Sequence, residues 1–225
     1  MATTTRMLVL GVARIFAPAN GYQLRRELVS WHVDDWAKVN PGSIYSMLST
    51  LSRQGMLEAH ALPDGARTVT VYTVTDAGLA ELDRLLRDAI RAVTPMDPTG
   101  FRVAFSFAPL FERTVLATLL EERLLAVRAR AAVLRGEVSR LDAEHFAPPH
   151  VGYSVQWETR MLDAEDAWLI DLIAHIRSGG LDFMDEPMTW TPAPDDEGWE
   201  MARETARYRE QLDRMREAEA ARPRG

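Results

Sequence analysis

The chain of 225 residues has no cysteine. Disulfides, thiolate metal sites and thiol nucleophiles are thereby excluded, and a reducing cytoplasm is the expected setting. Lysine is almost absent: Lys38 stands alone among 26 basic residues, the rest being arginine, a bias suggesting a GC-rich bacterial genome. No apolar run approaches the roughly 18 residues that a membrane span needs, so no membrane partner is expected. The opening MATTTRMLVLGVARIF is too short and too weakly charged for a secretory leader and reads as a helix. There is no Gly-x-Gly-x-x-Gly, no phosphate loop ending in Gly-Lys-Ser/Thr and no nucleophile elbow. His32, His60, His145, His150 and His175 never fall three or four apart, as paired helical metal ligands would. The acidic groups Glu165-Asp166 and Asp195-Asp196-Glu197 read as solvated surface. No catalytic residue, metal or cofactor is therefore expected.

The net charge of −7 runs against binding a polyanion, but the charge is unevenly spread. Residues 1–75 hold seven Lys/Arg and five Asp/Glu, whereas residues 91–225 hold 17 Arg and 24 Asp/Glu. The acid lies in the C-terminal part, and the N-terminal part is mildly basic.

What is present is a sequence of periodic segments. Leu8, Val9, Val12, Ile15 and Phe16 mark a helix over 4–16, ended by Pro18-Ala19-Asn20-Gly21. A second helix over about 21–31, with Asn20 as N-cap, is expected to turn Tyr22, Leu24, Leu28 and Trp31 inward. A polar stretch, 32–40, follows. Asn40-Pro41 then reads as cap and first-turn proline of a third helix, with Gly55 after its end. Ile44, Leu48 and Leu51 form its buried stripe. Ser43, Tyr45, Ser46, Ser49, Thr50 and Arg53 form the opposite side, which is polar, short-chained and nearly free of acid. Met56–Leu62 and Thr68–Val74 are strand candidates about a turn at 63–67, and a fourth helix runs from Thr75 to about Val93.

Pro95, Pro98 and Gly100 mark a linker. Beyond it Leu120, Leu124, Val127, Ala131, Leu134, Val138 and Leu141 recur in alternating steps of four and three, a heptad seam. Pro148-Pro149 interrupts it. Val155, Leu162, Leu169 and Ile176 then recur seven apart, until Gly179-Gly180. Residues 185–198 read as a loop, and a charged, weakly amphipathic helix is expected over 199–220.

The expected fold is mainly α. An N-terminal winged helix-turn-helix with a two-stranded β wing occupies 1–93 and a linker 94–109. A C-terminal helical dimerisation and effector domain spans 110–180, with an acidic extension over 181–225. In this arrangement the third helix, about 12 residues long, enters the major groove. Its hydroxyls and the Tyr45 phenol meet base edges, while Arg53, Arg67 and Lys38 reach phosphates.

Three fragments sharpen this reading: GYQLRRELVSW, NPGSIYSMLSTLSRQGMLEA and VYTVTDAGLAEL. In order and spacing, over residues 6–90, they resemble the PadR family of regulators. The resemblance implies that Tyr45 faces DNA, that Gly42 and Ser43 lie close to the phosphate backbone, and that Arg67 sits at the wing tip near the minor groove. The family usually has proline where this chain has Ser46, and often Lys or Arg near Ser49 and Thr50. It also implies dimerisation through C-terminal helices, with AWLIDLIAHIRSGG similar to the family's tryptophan-containing last helix.

The expected partners are a palindromic double-stranded operator, a second copy of the chain and a small aromatic or apolar effector. The dimer seam is assigned to Leu120, Leu124, Val127, Leu134, Val138 and Leu141, with Leu162 and Leu169. The effector pocket is assigned to Trp31, Trp157 and Trp168. The rival reading is a winged helix used for protein–protein contact, with DNA binding lost. It is motivated by the near-neutral N-terminal part and the absence of basic residues at 49 and 50.

Overall fold

The computed structural model describes residues 2–144, 147–196 and 198–221; His145 and Glu197, named above, lie outside them. Two compact units are present, one made of Met1–Leu85 with Thr191–Gly225, the other of Leu86–Trp190.

The first unit is built on α1 (Ala2–Phe16). Met7, Leu8, Val9, Leu10, Val12 and Ala13 are buried almost all round, because helices and sheet both pack on this helix. After it come β1 (Ala19–Asn20), α2 (Gly21–Ser30), a single-turn α3 (Val33–Trp36) and α4 (Pro41–Arg53). Two long strands follow, β2 (Leu57–Asp64) and β3 (Arg67–Val74), and then α5 (Asp76–Arg91). The sheet order is β1-β3-β2, antiparallel throughout, with Ala19 opposite Tyr72 and Asp64 opposite Arg67. The sheet thus has three strands where two were expected, since a two-residue strand is too short to show alternation. The hairpin turn is also tighter than the sequence suggested. Only Gly65 and Ala66 connect the strands, and Gly65 takes φ +62, as the leading residue of such a turn requires.

Gly78, in the first turn of α5, is fixed by a close approach. A Cβ there would lie 2.1 Å from the Met56 carbonyl oxygen. A last helix, α9 (Gly198–Ala220), returns to this unit. It buries Met201, Thr205, Tyr208 and Leu212, spaced four, three and four apart on one side. Tyr208 and Leu212 form a core cluster with Leu62 and Val71 of the wing.

The second unit contains α6 (Thr99–Phe105), a 3₁₀ turn at Ala108–Leu110, α7 (Arg113–Glu144) and α8 (Pro149–Arg177). The segment 94–109, expected as a linker, holds a helix whose Phe101, Val103 and Ala104 are buried, as is Phe107 beyond it. Its prolines punctuate the start of a packed segment. Helices α7 and α8 run antiparallel. Arg177 pairs with Glu121, and one stretch further along α7 Arg135 pairs with Asp163.

The heptad seam lies within this hairpin. Leu120, Val127, Leu134 and Leu141 are buried in a single chain, Leu124 and Val138 are half-buried, and Leu162 and Leu169 on α8 are fully covered. The sequence places this seam between subunits; within this single chain its most buried members are covered by the hairpin itself. Four residues separate the two helices, so closing the hairpin is a local event, and the seven-residue repeat of α8 supplies the matching face. Among the described residues, no helix is long and apolar enough to cross a membrane.

Candidate nucleic-acid interface

The candidate surface starts at the N-terminus of α4. The Asn40 side chain accepts a hydrogen bond from the Gly42 amide at 2.8 Å, and Pro41 occupies the first turn. Ile44, Leu48 and Leu51 are buried, which fixes the rotation of the helix and turns Tyr45, Ser46, Ser49 and Arg53 outward. Gly42 is exposed at the helix start, and Ser43 and Thr50 are half-exposed. Gly55 takes φ +70 beyond the last turn and stops the helix.

The hydroxyls are engaged with the helix itself. Ser43 Oγ donates to the Asn40 carbonyl at 2.6 Å, Ser46 Oγ to the Ser43 carbonyl at 2.9 Å, and Thr50 Oγ1 to the Ser46 carbonyl at 2.8 Å. Each oxygen keeps lone pairs facing outward, so the surface presents acceptors. A hydroxyl that rotates off its carbonyl presents a donor instead. Arg53 Nη2 donates to Thr50 Oγ1 at 3.3 Å and lies along the same side.

Tyr45 is 47 % exposed and leans on the start of α2. A Cβ on Gly21 would lie 3.1 Å from its Cε1, so the glycine that opens α2 makes room for this ring. Across from it, burial pushes the Tyr72 phenol above its ordinary range, and the nearby Tyr45 phenol adds to the rise.

Tyr22 had been expected inside. It is 60 % exposed, while the neighbouring Gln23 is buried. Asn20 and Gln23 form a reciprocal capping box, with Asn20 Oδ1 accepting from the Gln23 amide at 2.9 Å and Gln23 Oε1 from the Asn20 amide at 2.7 Å. That box draws Gln23 inward and turns Tyr22 out. The Asn-x-x-Gln spacing was the signal in the sequence that would have shown it.

Arg67 is exposed at the first position after the wing turn, and Lys38 is exposed before α4 with φ +54. The structure thus brings Gly42, Ser43, Tyr45, Ser46, Ser49, Thr50 and Arg53 onto one side of α4, with Arg67 on the hairpin and Lys38 in the preceding loop.

The three tryptophans assigned to an effector pocket are divided between the two units. Trp31 belongs to the first unit and donates its Nε1 to Glu27 at 2.9 Å. Burial raises the Glu27 carboxyl above its ordinary range, and that indole hydrogen bond partly offsets the rise. Trp157 and Trp168 lie on α8, 11 residues or about 16 Å apart along the axis. Trp168 meets Phe101 and Phe105 edge-on, with centroids at 5.9 and 5.7 Å. In the helical unit, grooves of about 400 and 240 Å³ are lined by other residues: Val127, Ala131 and Leu162 with two Arg–Asp pairs, and Arg87, Arg91, Val115 and Leu119. Among the described residues no group of histidines and carboxylates is placed to hold a metal ion.

Residues 9–84 match the model of the transcriptional regulator PadR-like family. No curated protein matches the chain. Among solved structures the chain is similar to Bacillus subtilis PadR in complex with operator DNA, at 24% identity over 76% of this chain and 98% of that one, with a TM-score of 0.33. It is similar to the same protein in complex with p-coumaric acid, at 23% identity over 77% and 99%, with a TM-score of 0.31. A PadR-like transcriptional regulator from Bacillus cereus is 16% identical over 76% and 94%, with a TM-score of 0.33. The matched segment runs from the middle of α1 into α5 and takes in α4 and the whole wing, so over residues 9–84 the chain is similar to the PadR-like family of transcriptional regulators.

Proposed function

We propose that this protein is a dimeric, DNA-binding transcriptional repressor that leaves its operator when a small aromatic or apolar effector binds. The observation that supports DNA binding most directly is the outer side of α4. Ile44, Leu48 and Leu51 hold the helix from within, so a side with hydroxyls, a phenol, one arginine and no acidic residue stands in solvent. Such a side is small enough to approach base edges and carries no charge that phosphates repel. Arg67 and Lys38 supply phosphate contacts in this reading.

With the α7 seam already filled, a second copy needs another surface. On α8 Tyr153, Trp157, Met161 and Trp168 are exposed and recur on one side of the helix, and this stripe is the surface we assign to the dimer. An effector finds its aromatic platform at Phe101, Phe105 and Trp168, the last of which is 42 % exposed. It changes DNA binding only through a difference in affinity between two arrangements of the dimer.

Selection of bound duplexes from a random pool tests this reading. A recovered site with dyad symmetry and half-sites about one helical turn apart is expected. Tyr45→Ala should weaken binding to that site by about 1–3 kcal/mol, and Arg67→Ala should reduce the salt slope by about 1. Retention unchanged by both substitutions sinks the recognition-helix assignment and leaves the protein–protein reading.

A further inference from the structure

The helix beyond α8 is not explained by anything above, and its contacts follow a pattern. Along its length α9 is fastened to the DNA-reading unit at successive points. Gln23 Nε2 donates to Glu204 at 2.5 Å, Thr205 Oγ1 to the Phe16 carbonyl at 3.4 Å, and Asn20 Nδ2 to the Tyr208 hydroxyl at 3.3 Å. Further on, Gln211 Nε2 donates to the Pro63 carbonyl at 3.2 Å, and Arg207 pairs with Asp64 at 2.8 Å. Tyr208 and Leu212 fill the back of the hairpin against Leu62 and Val71, which are fully buried.

Two consequences follow. A two-stranded hairpin has little stability of its own and needs a covered apolar side. In this wing the cover over Leu62 and Val71 includes α9. The second consequence is electrostatic. Asp64 and Arg67 are direct partners across the turn, where opposite charges attract. Asp64 instead engages Arg207, and among the described residues Arg67 forms no ion pair.

We propose that α9 positions the wing for DNA: Tyr208 and Leu212 brace the hairpin from behind, and Arg207 holds Asp64 so that the Arg67 charge remains available to a phosphate. This rests on the DNA-binding reading for its electrostatic half; the brace stands without it. Arg207, Tyr208 and Leu212 are positioning residues, since none of them touches DNA in this scheme.

The electrostatic half is tested with the full-length protein and the duplex recovered by selection, following affinity against salt. Arg207→Met should weaken binding about two- to fivefold and lower the salt slope by about 1, as Arg67→Ala does, because Asp64 then takes Arg67. Adding Asp64→Asn to Arg207→Met should restore both affinity and slope. A weakening with unchanged slope, or no restoration in the double variant, overturns the electrostatic half. The brace is read without DNA, by hydrogen exchange of the wing amides. Tyr208→Ala should speed exchange at Val69 and Val71 at least about tenfold while α7 and α8 keep their protection. If that variant does not fold, Leu212→Ala takes its place. Unchanged wing exchange overturns the brace. Wild-type protein that binds no duplex removes the DNA-binding reading and the electrostatic half with it, while the exchange measurement still decides the brace.

Discussion

The α7–α8 hairpin and the outer side of α4 treat their polar groups in opposite ways. On the hairpin, arginines and acids cancel one another from helix to helix: Arg128 with Asp166, Arg130 with Glu158, Arg135 with Asp163 and Arg177 with Glu121. On α4 there is no acid, and the hydroxyls turn back onto the helix. The net charge of −7 therefore says little about the surface that would meet DNA. Much of the C-terminal acid is already paired within its own unit. A local deficit of acid on one helix is the more informative quantity.

The contrast breaks most sharply at Arg123. Its side chain is 1% exposed, yet it carries a full charge. Glu165 accepts from Nε at 2.5 Å, the Ile90 and Ala92 carbonyls accept from Nη1, and the guanidinium lies 4.0 Å from the centroid of the Phe101 ring. One cation thus ties α5, α6, α7 and α8 together. Removing one partner of a buried pair leaves the other charge unmatched, at a cost of about 3–5 kcal/mol. Arg123→Met should lower the unfolding free energy of the helical unit, read from urea denaturation, by that amount. The double variant Arg123→Met with Glu165→Gln should recover part of it. Two units that melt together with no loss would show that the charge cluster does not hold the hairpin.

In the first unit the corresponding weak point is a close backbone approach. Gly78→Ala places a methyl 2.1 Å from the Met56 carbonyl oxygen and 2.8 Å from Val74 Cγ1. A backbone carbonyl cannot swing aside as a side chain does, so α5 must shift away from the end of the wing. About 1–3 kcal/mol of destabilisation is expected, confined to the unit that carries α4. Thermal melting checks it. A silent Gly78→Ala would mean that the junction between wing and α5 is soft.

Those two sites also show what could be read from the chain beforehand. Gly78 belongs to a motif visible in the sequence, and α4 was legible at both ends from Asn40-Pro41 and Gly55. The hairpin was legible from alternating Thr and Val. Other features were not. The two-residue β1 has no period, and the inward turn of Gln23 depends on a cap that outweighs the polarity of the side chain. Heptad spacing at Leu120–Leu141 shows that a helix is buried, but a matching face in the same chain and one in a second chain leave the same trace. The docking of α9 was illegible for a related reason. Met201, Thr205, Tyr208 and Leu212 make only a thin stripe among charges, and their partners lie some 140 residues away on the wing.

Glu27 is the exception within the first unit, and its effect is the smallest. It is a charge that burial penalises without a buried arginine to match it. Burial raises its carboxyl above the ordinary value of 4.5; the Trp31 indole hydrogen bond and then Arg26 pull it back in part, and Asp196 adds a further small rise. The unfolded chain therefore releases this proton at lower pH than the folded one. As pH climbs through the ordinary value toward the raised one, the unfolded state gains more from ionisation and stability falls, and beyond the raised value the penalty is constant. Glu27→Gln removes the charge but keeps an oxygen to accept from Trp31 Nε1. It should raise the melting temperature at pH about 7, with a gain in stability of no more than about 1 kcal/mol given the solvent around the half-buried group. The gain should close when both proteins are compared near pH about 4, where the wild-type carboxyl is protonated as well. A Gln variant that is less stable at neutral pH would show that the Glu27–Trp31 contact outweighs the burial of the charge, and that this unit, like the helical one, draws support from ionised groups.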